Sequence, residues 1–180
     1  HIKSPDLIRT FFLIKMETKI KVAIQGKQES FHHIVAKKYF GTRLSLVTCD
    51  TFDETVIKVL QDGADFAVMA IENSIAGSII PNYALIDQND LKIVGEYGLS
   101  IHHNFMGLTG QTIDDIKEVH SHPMALLQCK NFFKQHPNIV MVESEDTAEV
   151  AFRMSKDKIK GIGAIASLEA AEMYNLTILA

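Results

Sequence analysis

Several residue types that mark a protein class at once are scarce in this chain. It has two cysteines, four prolines and no tryptophan among 180 residues. Cys49 and Cys129 lie far apart without CxxC spacing, so we interpret them as buried thiols of a protein from a reducing compartment. No apolar run approaches the roughly 20 residues that a membrane-spanning helix needs. The sequence therefore argues against a disulfide-stabilised scaffold and against a membrane protein, and we expect a cytoplasmic location.

Arginine and net positive charge are scarce as well. The chain has a net charge of −4 and three arginines, at positions 9, 43 and 153. Nucleic-acid binding needs a basic face, so this balance argues against nucleic acid as a partner. An anionic small molecule would have to be bound mainly by backbone N–H groups, hydroxyls and amides, with partial positive charge from helix N-termini.

The apolar runs predict an α/β fold. Hydrophobic residues make up 47% of a chain that is long enough for one large domain or two small lobes. Short strands alternate with helical segments in both halves, an order typical of parallel sheets covered by helices. The predicted strands are 20–24, 44–48 and 66–70 in the first half, and 118–120, 139–142, 163–166 and 176–179 in the second.

This alternation predicts two α/β lobes with mostly parallel sheets and an interlobe cleft that binds a ligand. We place lobe 1 at 16–98 and lobe 2 at 99–180, and a long, largely extended segment at 92–109 runs between them. Residues 1–15 precede Met16 and the first convincing strand. We interpret them as an added or unstructured leader.

Polar side chains are concentrated where predicted strands end and helices begin, the usual position of ligand contacts in open α/β folds. The clusters are Glu72, Asn73 and Ser74 with Gly77 and Ser78; Ser121 and His122 with Gln128; and Asp146 with Thr147. Gly77 would let the backbone approach a ligand closely, and Ser78 could cap the following helix. Gln128 lies about two helical turns after Ser121 and can face the same space.

Each of these residues also has a purely structural interpretation. Ser121 and Asp146 can be helix caps and nothing more, and Gln128 can belong to a solvated helix face. A Ser121–His122–Asp146 hydrolytic triad is disfavoured, because adjacent side chains point to different sides and no GxSxG motif is present.

A metal centre is another alternative. The candidate ligands are His102, His103, His120, His122 and Glu72. Zinc needs three or four ligands in a fixed geometry, and nothing in this spacing forces the side chains together. We therefore predict no metal site.

The motifs at these positions closely resemble those of prephenate dehydratases. IENS-x-x-GS at 71–78 and SHP-x-AL-x-QC at 121–129 are specific in combination. The resemblance covers essentially everything from Lys19 to Ala180, in family order. The other matching stretches include VAIQG at 22–26, VGEYGLSIHHNFM at 94–106, DTAEVA at 146–151 and GAIASLEAAEMYNLTILA at 163–180.

The resemblance implies a two-lobed catalytic domain similar to type II periplasmic-binding-protein folds. It implies a lyase that converts prephenate to phenylpyruvate, water and carbon dioxide in phenylalanine biosynthesis, without a metal or a cofactor. Asn73, Ser121 and Gln128 match polar positions that line the family's active site, and we predict them to be catalytic. The residues that we predict to bind the substrate are Glu72, Ser74, Gly77, Ser78, His122, Asp146 and Thr147. The resemblance is compatible with a homo-oligomer, because family members commonly self-associate.

Three departures from the family pattern bear on activity. The family's Thr-Arg-Phe motif, whose Thr is taken as the main catalytic group, follows the segment that matches LTILA, and a C-terminal ACT domain usually comes later. The sequence ends at Ala180, so we expect this chain by itself to be impaired or inactive. Glu29 stands where the family commonly has a small residue. We interpret it, like His32 and His33, as solvated at the start of a helix.

Two functions without catalysis are alternatives. One is a two-lobed module that binds a small carboxylate, which the neutral donors and the missing Thr would suit. The other is a regulatory or interaction protein with a vestigial site. If Asn73, Ser121 and Gln128 point apart, the vestigial site is favoured.

Overall fold

The computed structural model describes residues 18–75, 77–144 and 146–180. The predicted leader at 1–15 lies outside these ranges. In chain order, the helices and strands are β1 Ile20–Gln25, α1 Phe31–Phe40, β2 Leu44–Cys49, α2 Phe52–Leu60, β3 Phe66–Val68, β4 Glu72–Asn73, β5 Gly77–Ser78, α3 Ile80–Gln88, β6 Asn104–Leu108, β7 Glu118–Ser121, α4 Pro123–Phe133, β8 Val140–Glu143, α5 Thr147–Asp157, β9 Ile162–Ala166, α6 Leu168–Met173 and β10 Leu176–Ile178. None of the helices in these ranges is long and apolar enough to cross a membrane.

The first lobe is built on a parallel sheet with the strand order β2-β1-β3. Val22, Ala23 and Ile24 of the central strand are fully buried. Val22 and Ile24 belong to one apolar cluster and Ala23 to another, so both faces of the strand are covered. An uninterrupted apolar run is what a parallel strand between two layers requires.

The second lobe is built on a mixed sheet with the strand order β10-β6-β9-β7-β8. Strand β7 runs parallel to β8 and β9, whereas β6 runs antiparallel to β9 and β10. Helices α5 and α6 share one apolar cluster with the sheet, and α4 belongs to a second cluster. The α/β class, with two sheets whose pairings are mostly parallel, is confirmed.

Side-chain caps start several helices. Thr51, Asp146 and Ser167 each accept a hydrogen bond from the backbone N–H three residues later. Such caps satisfy N–H groups that have no partner inside the helix. Both thiols are free; Cys49 is buried and Cys129 is partly buried.

Two local predictions are wrong. The strand expected at 66–70 ends at Val68, and the polar residues after it form the antiparallel β4–β5 hairpin. Ser78 lies in β5 and does not cap α3, whose N-cap residue is Ile79. In the segment at 92–109, which we expect to be largely extended, residues 104–108 form strand β6. Extension of a strand depends on a neighbouring strand to pair with, which local sequence does not specify.

Gly163, the second residue of β9, allows close packing against β6. A methyl group added there would meet the Phe105 ring and lie 3.1 Å from the Met106 carbonyl oxygen. We expect Gly163→Ala to lower the free energy of unfolding by about 1–3 kcal/mol, as overpacking of a core does. Urea denaturation measures this change. Gly98→Ala is the control, because nothing lies within 4 Å of an added Cβ at that position; equal losses for both variants would contradict the packing argument.

Candidate functional site

The start of α1 in the first lobe meets the starts of second-lobe helices. Ser167, the N-cap of α6, donates its hydroxyl to the Glu29 carbonyl oxygen at 2.9 Å. Tyr174, directly after α6, donates its hydroxyl to the Gln28 carbonyl oxygen at 3.3 Å. These two hydrogen bonds hold the turn between β1 and α1 against the second lobe. Helix N-termini that meet in this way present backbone N–H groups and partial positive charge to a shared space.

Gly26 brings this turn against the start of α5. Its φ is 97°, and an added Cβ would lie 2.5 Å from Oδ2 of Asp146. The other carboxylate oxygen, Oδ1, accepts the N-cap hydrogen bond from the Glu149 N–H at 2.8 Å. Burial raises the pKa of Asp146 above its ordinary value, although the hydrogen bonds from Glu149 and Ala148 oppose the shift. The Asp146 carboxylate is therefore a partly desolvated group at the contact between the two lobes.

Two histidines lie on either side of the same junction. His32 in α1 is partly buried, and its ring meets Phe52 edge-on at 5.4 Å between centroids. Burial lowers the pKa of His32 to about 4, with a smaller contribution from nearby His122. Nδ1 of His122 accepts the Met124 N–H at 3.2 Å and so caps α4. His32 is thus a neutral polar group at neutral pH.

A cavity of about 580 Å³ opens beside this junction. Its size is that of a small-molecule site. Its lining comes from the end of β1, the start of α2, one face of α3 and the start of α4. The lining residues are Gln25, Asp50, Thr51, Phe52, Asp53, Pro81, Asn82, Ala84, Leu85, Gln88 and His122. Because His122 belongs to the second lobe and the others to the first, the cavity lies between the lobes.

Charge at the cavity is mixed. Lys27 bonds to Asp50 at 3.2 Å between Nζ and Oδ1, and that bond raises the pKa of the lysine. The carboxylates of Glu149 and Asp146 add to the shift. Lys27 is therefore a cation that interacts with carboxylates of both lobes, Asp50 in the first and Asp146 and Glu149 in the second.

The predicted catalytic residues occupy three different settings. Ser121 is fully buried at the end of β7, and its hydroxyl donates to the Ile165 carbonyl oxygen at 2.7 Å. Gln128 is partly buried, with its Oε1 2.6 Å from Nε2 of His103. Asn73 lies in the β4–β5 hairpin, where its Oδ1 accepts the Ile75 N–H at 2.8 Å. Convergence of the three on one ligand stays a prediction.

The predicted substrate-binding residues divide between the two lobes. His122 and Asp146 lie together at the junction, and Thr147 is buried in the first turn of α5. Glu72 accepts the Tyr83 hydroxyl at 3.3 Å, which ties the hairpin to α3. The hairpin residues Ser74, Gly77 and Ser78 are exposed.

The interpretation of Glu29, His32 and His33 as solvated is wrong. Glu29 is 5% exposed, and its carboxylate lies 3.3 Å from Nζ of Lys37 in α1. His33 is also buried, and its Nδ1 accepts the Glu29 N–H at 2.8 Å. Glu29 has a φ of 62°, in the left-handed region, and its side chain is buried. Lys37 supplies the compensating charge that a buried carboxylate needs.

Sequence analysis missed Gln25, Gly26, Lys27 and His103 as parts of this region. The first three lie at the end of the central strand β1 or directly after it, the same signal that identified the other clusters. His103 carries no such signal, because it precedes a strand. Among the residues that the structure describes, no group of three or more His, Cys, Asp or Glu side chains could hold a metal ion.

The chain is similar to known proteins in sequence. The family model described as prephenate dehydratase (PDT) matches residues 22–180. Arogenate dehydratase 2 of Petunia hybrida is 38% identical over 163 residues, 91% of this chain and 41% of the relative. The bifunctional chorismate mutase/prephenate dehydratase of Aquifex aeolicus is 32% identical over 168 residues, 93% of this chain and 46% of the relative. The chain thus spans less than half the length of these two relatives.

The fold matches a solved structure as well. Prephenate dehydratase from Arthrobacter aurescens, in complex with L-Phe, superposes with a TM-score of 0.81 at 24% sequence identity. The match covers 89% of this chain and 55% of that chain.

Gly26→Ala tests the contact between the β1–α1 turn and Asp146. We expect a loss of about 1–2 kcal/mol from the left-handed backbone alone, plus about 1–3 kcal/mol from the clash with Oδ2. Gly41→Ala is a matched control, because Gly41 also has a positive φ, 60°, but no atom within 4 Å of an added Cβ. Chemical denaturation of both variants measures the difference. Asp146→Ala in the Gly26→Ala background should recover part of the excess loss, and equal losses at Gly26 and Gly41 would contradict the close contact.

Burial of neutral His32 predicts a pH dependence of stability. Its pKa is about 4 in the folded chain, against an ordinary value of 6.5. As the pH falls below 6.5 the unfolded chain binds the proton first, so this contribution to stability is complete above pH 6.5 and is lost towards pH 4. Asp146, with its raised pKa, acts in the opposite direction, so the test is the difference between the wild type and His32→Asn. The difference should narrow as the pH falls, and an NMR titration of the His32 ring with an ordinary midpoint would refute the assignment.

Proposed function

Because the chain belongs to the prephenate dehydratase family, we propose that the protein containing it converts prephenate to phenylpyruvate, carbon dioxide and water on the route to phenylalanine. One observation carries the proposal at the level of the site. The starts of α1, α5 and α6 meet at the junction of the lobes, beside a cavity that the start of α4 also lines. This arrangement suits an anionic substrate in a region where arginine is absent from the described cavity lining.

The reaction removes two groups from one ring. The bond to the ring carboxylate breaks and its electron pair moves into the ring, while the bond to the hydroxyl breaks and the oxygen leaves with an added proton as water. Aromatisation supplies the driving force. The protein must therefore orient two carboxylates and provide hydrogen bonds or a proton to the departing hydroxyl.

The residues present suit these tasks. We propose that N–H groups at the starts of α4 and α5, with Thr147 and the side chain of His122, hold a substrate carboxylate. Gln128 and Asn73 are proposed as neutral donors to the departing hydroxyl or to the carboxylate beside it, in line with stabilisation by preorganised dipoles. Ser121 is proposed to act by holding β7 against β9 through its bond to Ile165. Glu72, Ser74, Gly77 and Ser78 would cover the substrate from the hairpin.

Desolvation supports the first bond cleavage. The burial that raises the pKa of Asp146 disfavours a carboxylate charge at this junction. A substrate carboxylate placed there would lose hydration in the same way, and its departure as neutral carbon dioxide would relieve the cost.

The substrate and the setting of the protein are part of the proposal. The relatives include an arogenate dehydratase and a prephenate dehydratase, so prephenate and arogenate are the two substrates to compare. A cytoplasmic location and a homo-oligomer stay predictions; some of the plant relatives are named as chloroplastic. The same holds for the division into lobes at 98–99.

Turnover of prephenate tests the proposal directly. Phenylpyruvate formation would be followed with the 180-residue chain and with a longer version that continues through the C-terminal part of the relatives. Gln128→Ala should lower kcat on the order of 10²- to 10³-fold, as loss of one preorganised donor does. Lys130→Ala is the control, since that side chain lies exposed on the same helix.

Three outcomes have distinct meanings. Turnover in the longer version alone would support the enzyme and place an essential group beyond Ala180, whereas turnover in both would make the residues described here sufficient. Binding of prephenate without turnover by either folded protein would overturn the proposal in favour of a carboxylate-binding module.

A further inference from the structure

His103 lies between the two lobes, directly before β6. Its ring meets Phe31, the first residue of α1, edge-on at 5.6 Å between centroids. On its other side, Nε2 lies 2.6 Å from Oε1 of Gln128 in α4. His103 therefore contacts the first lobe through its ring and the second lobe through a short hydrogen bond.

The surroundings of the ring select one protonation state. Nδ1 is buried and has no hydrogen-bond partner in the described part of the chain. Burial also lowers the pKa of His103, although the bond to Gln128 opposes the shift. A proton on Nδ1 would be a buried donor without an acceptor, whereas a proton on Nε2 has the Gln128 amide oxygen as its acceptor. The single ring proton of the neutral form therefore belongs on Nε2.

This tautomer determines which way the Gln128 amide faces. Nε2–H of His103 donates to Oε1, so the amide oxygen is occupied and the NH₂ group is directed elsewhere. No hydrogen bond from that NH₂ group to another described residue is present. With the opposite tautomer, the lone pairs of His103 Nε2 and Gln128 Oε1 would face each other at 2.6 Å.

We propose that His103 is a positioning residue that holds the Gln128 amide with its NH₂ group as a donor towards the substrate. The consequence for catalysis rests on the proposed function, in which Gln128 donates to the substrate or to the departing hydroxyl. A rotated amide would present a carbonyl oxygen to an anion and repel it. His103 thus determines whether Gln128 presents its NH₂ group or its carbonyl oxygen to the substrate.

Substitutions at His103 separate positioning from packing. His103→Leu removes the donor but keeps an apolar side chain against Phe31, and we expect kcat to fall on the order of 10- to 100-fold with a smaller change in KM, as misplacement of a catalytic group does. His103→Gln retains an N–H donor near the position of Nε2 and should recover most of the loss. His102→Leu is the matched control, because the neighbouring histidine is exposed. Adding His103→Leu to Gln128→Ala should cause little further loss.

NMR tests the positioning without any turnover. The ¹⁵N shifts of the His103 ring should report a proton on Nε2, and the side-chain NH₂ resonances of Gln128 should move in His103→Leu but not in His102→Leu. A proton on Nδ1, or unmoved Gln128 resonances, would overturn the inference. So would equal kcat values for folded His103→Leu and His103→Gln.

The two proposals fail separately. If the wild type has no turnover in any version, the proposed function falls, and the NMR result alone decides whether His103 orients Gln128. If the wild type is active and His103→Leu matches it, the enzyme stands and the positioning role is refuted.

Discussion

The site depends on one close contact, between the turn after β1 and the starts of α5 and α6. Gly26 approaches the Asp146 carboxylate at a distance that leaves no room for a Cβ atom, and Ser167 bonds to the Glu29 carbonyl oxygen. These contacts join the central strand of the first lobe to two helices of the second. The position of the cavity, and the side chains that can reach it, follow from that junction.

The polar residues at the junction serve helix formation first. His122, Asp146 and Ser167 each accept a hydrogen bond from a backbone N–H at the start of a helix. A cap uses one acceptor atom, and the remaining polar atoms are directed outward from the helix end. Burial at this junction shifts the pKa values of the cap residue Asp146 and of the nearby His32 in the directions that disfavour charge.

Local sequence accounts for much of the fold. The alternating strands and helices, the apolar run of β1 and the caps at Thr51, Asp146 and Ser167 all follow from propensity and periodicity. The β4–β5 hairpin was missed because two-residue strands carry too little pattern to be distinguished from a polar turn. The early end of β3 and the irregular segment before β6 depend on pairing partners elsewhere in the chain.

The sequence by itself determined the α/β class, the family motifs and the polar clusters at strand ends, because these depend on residue types at short spacing. Only the tertiary structure decided which of the clustered side chains meet. The Ser121 hydroxyl bonds to Ile165, 44 positions away, and Gln128 bonds to His103, 25 positions away. The Glu29 carbonyl oxygen likewise accepts a hydrogen bond from Ser167, 138 positions away. Helical spacing shows which face of a helix a residue occupies, but the partner that covers that face is set by how the two sheets bring distant elements together.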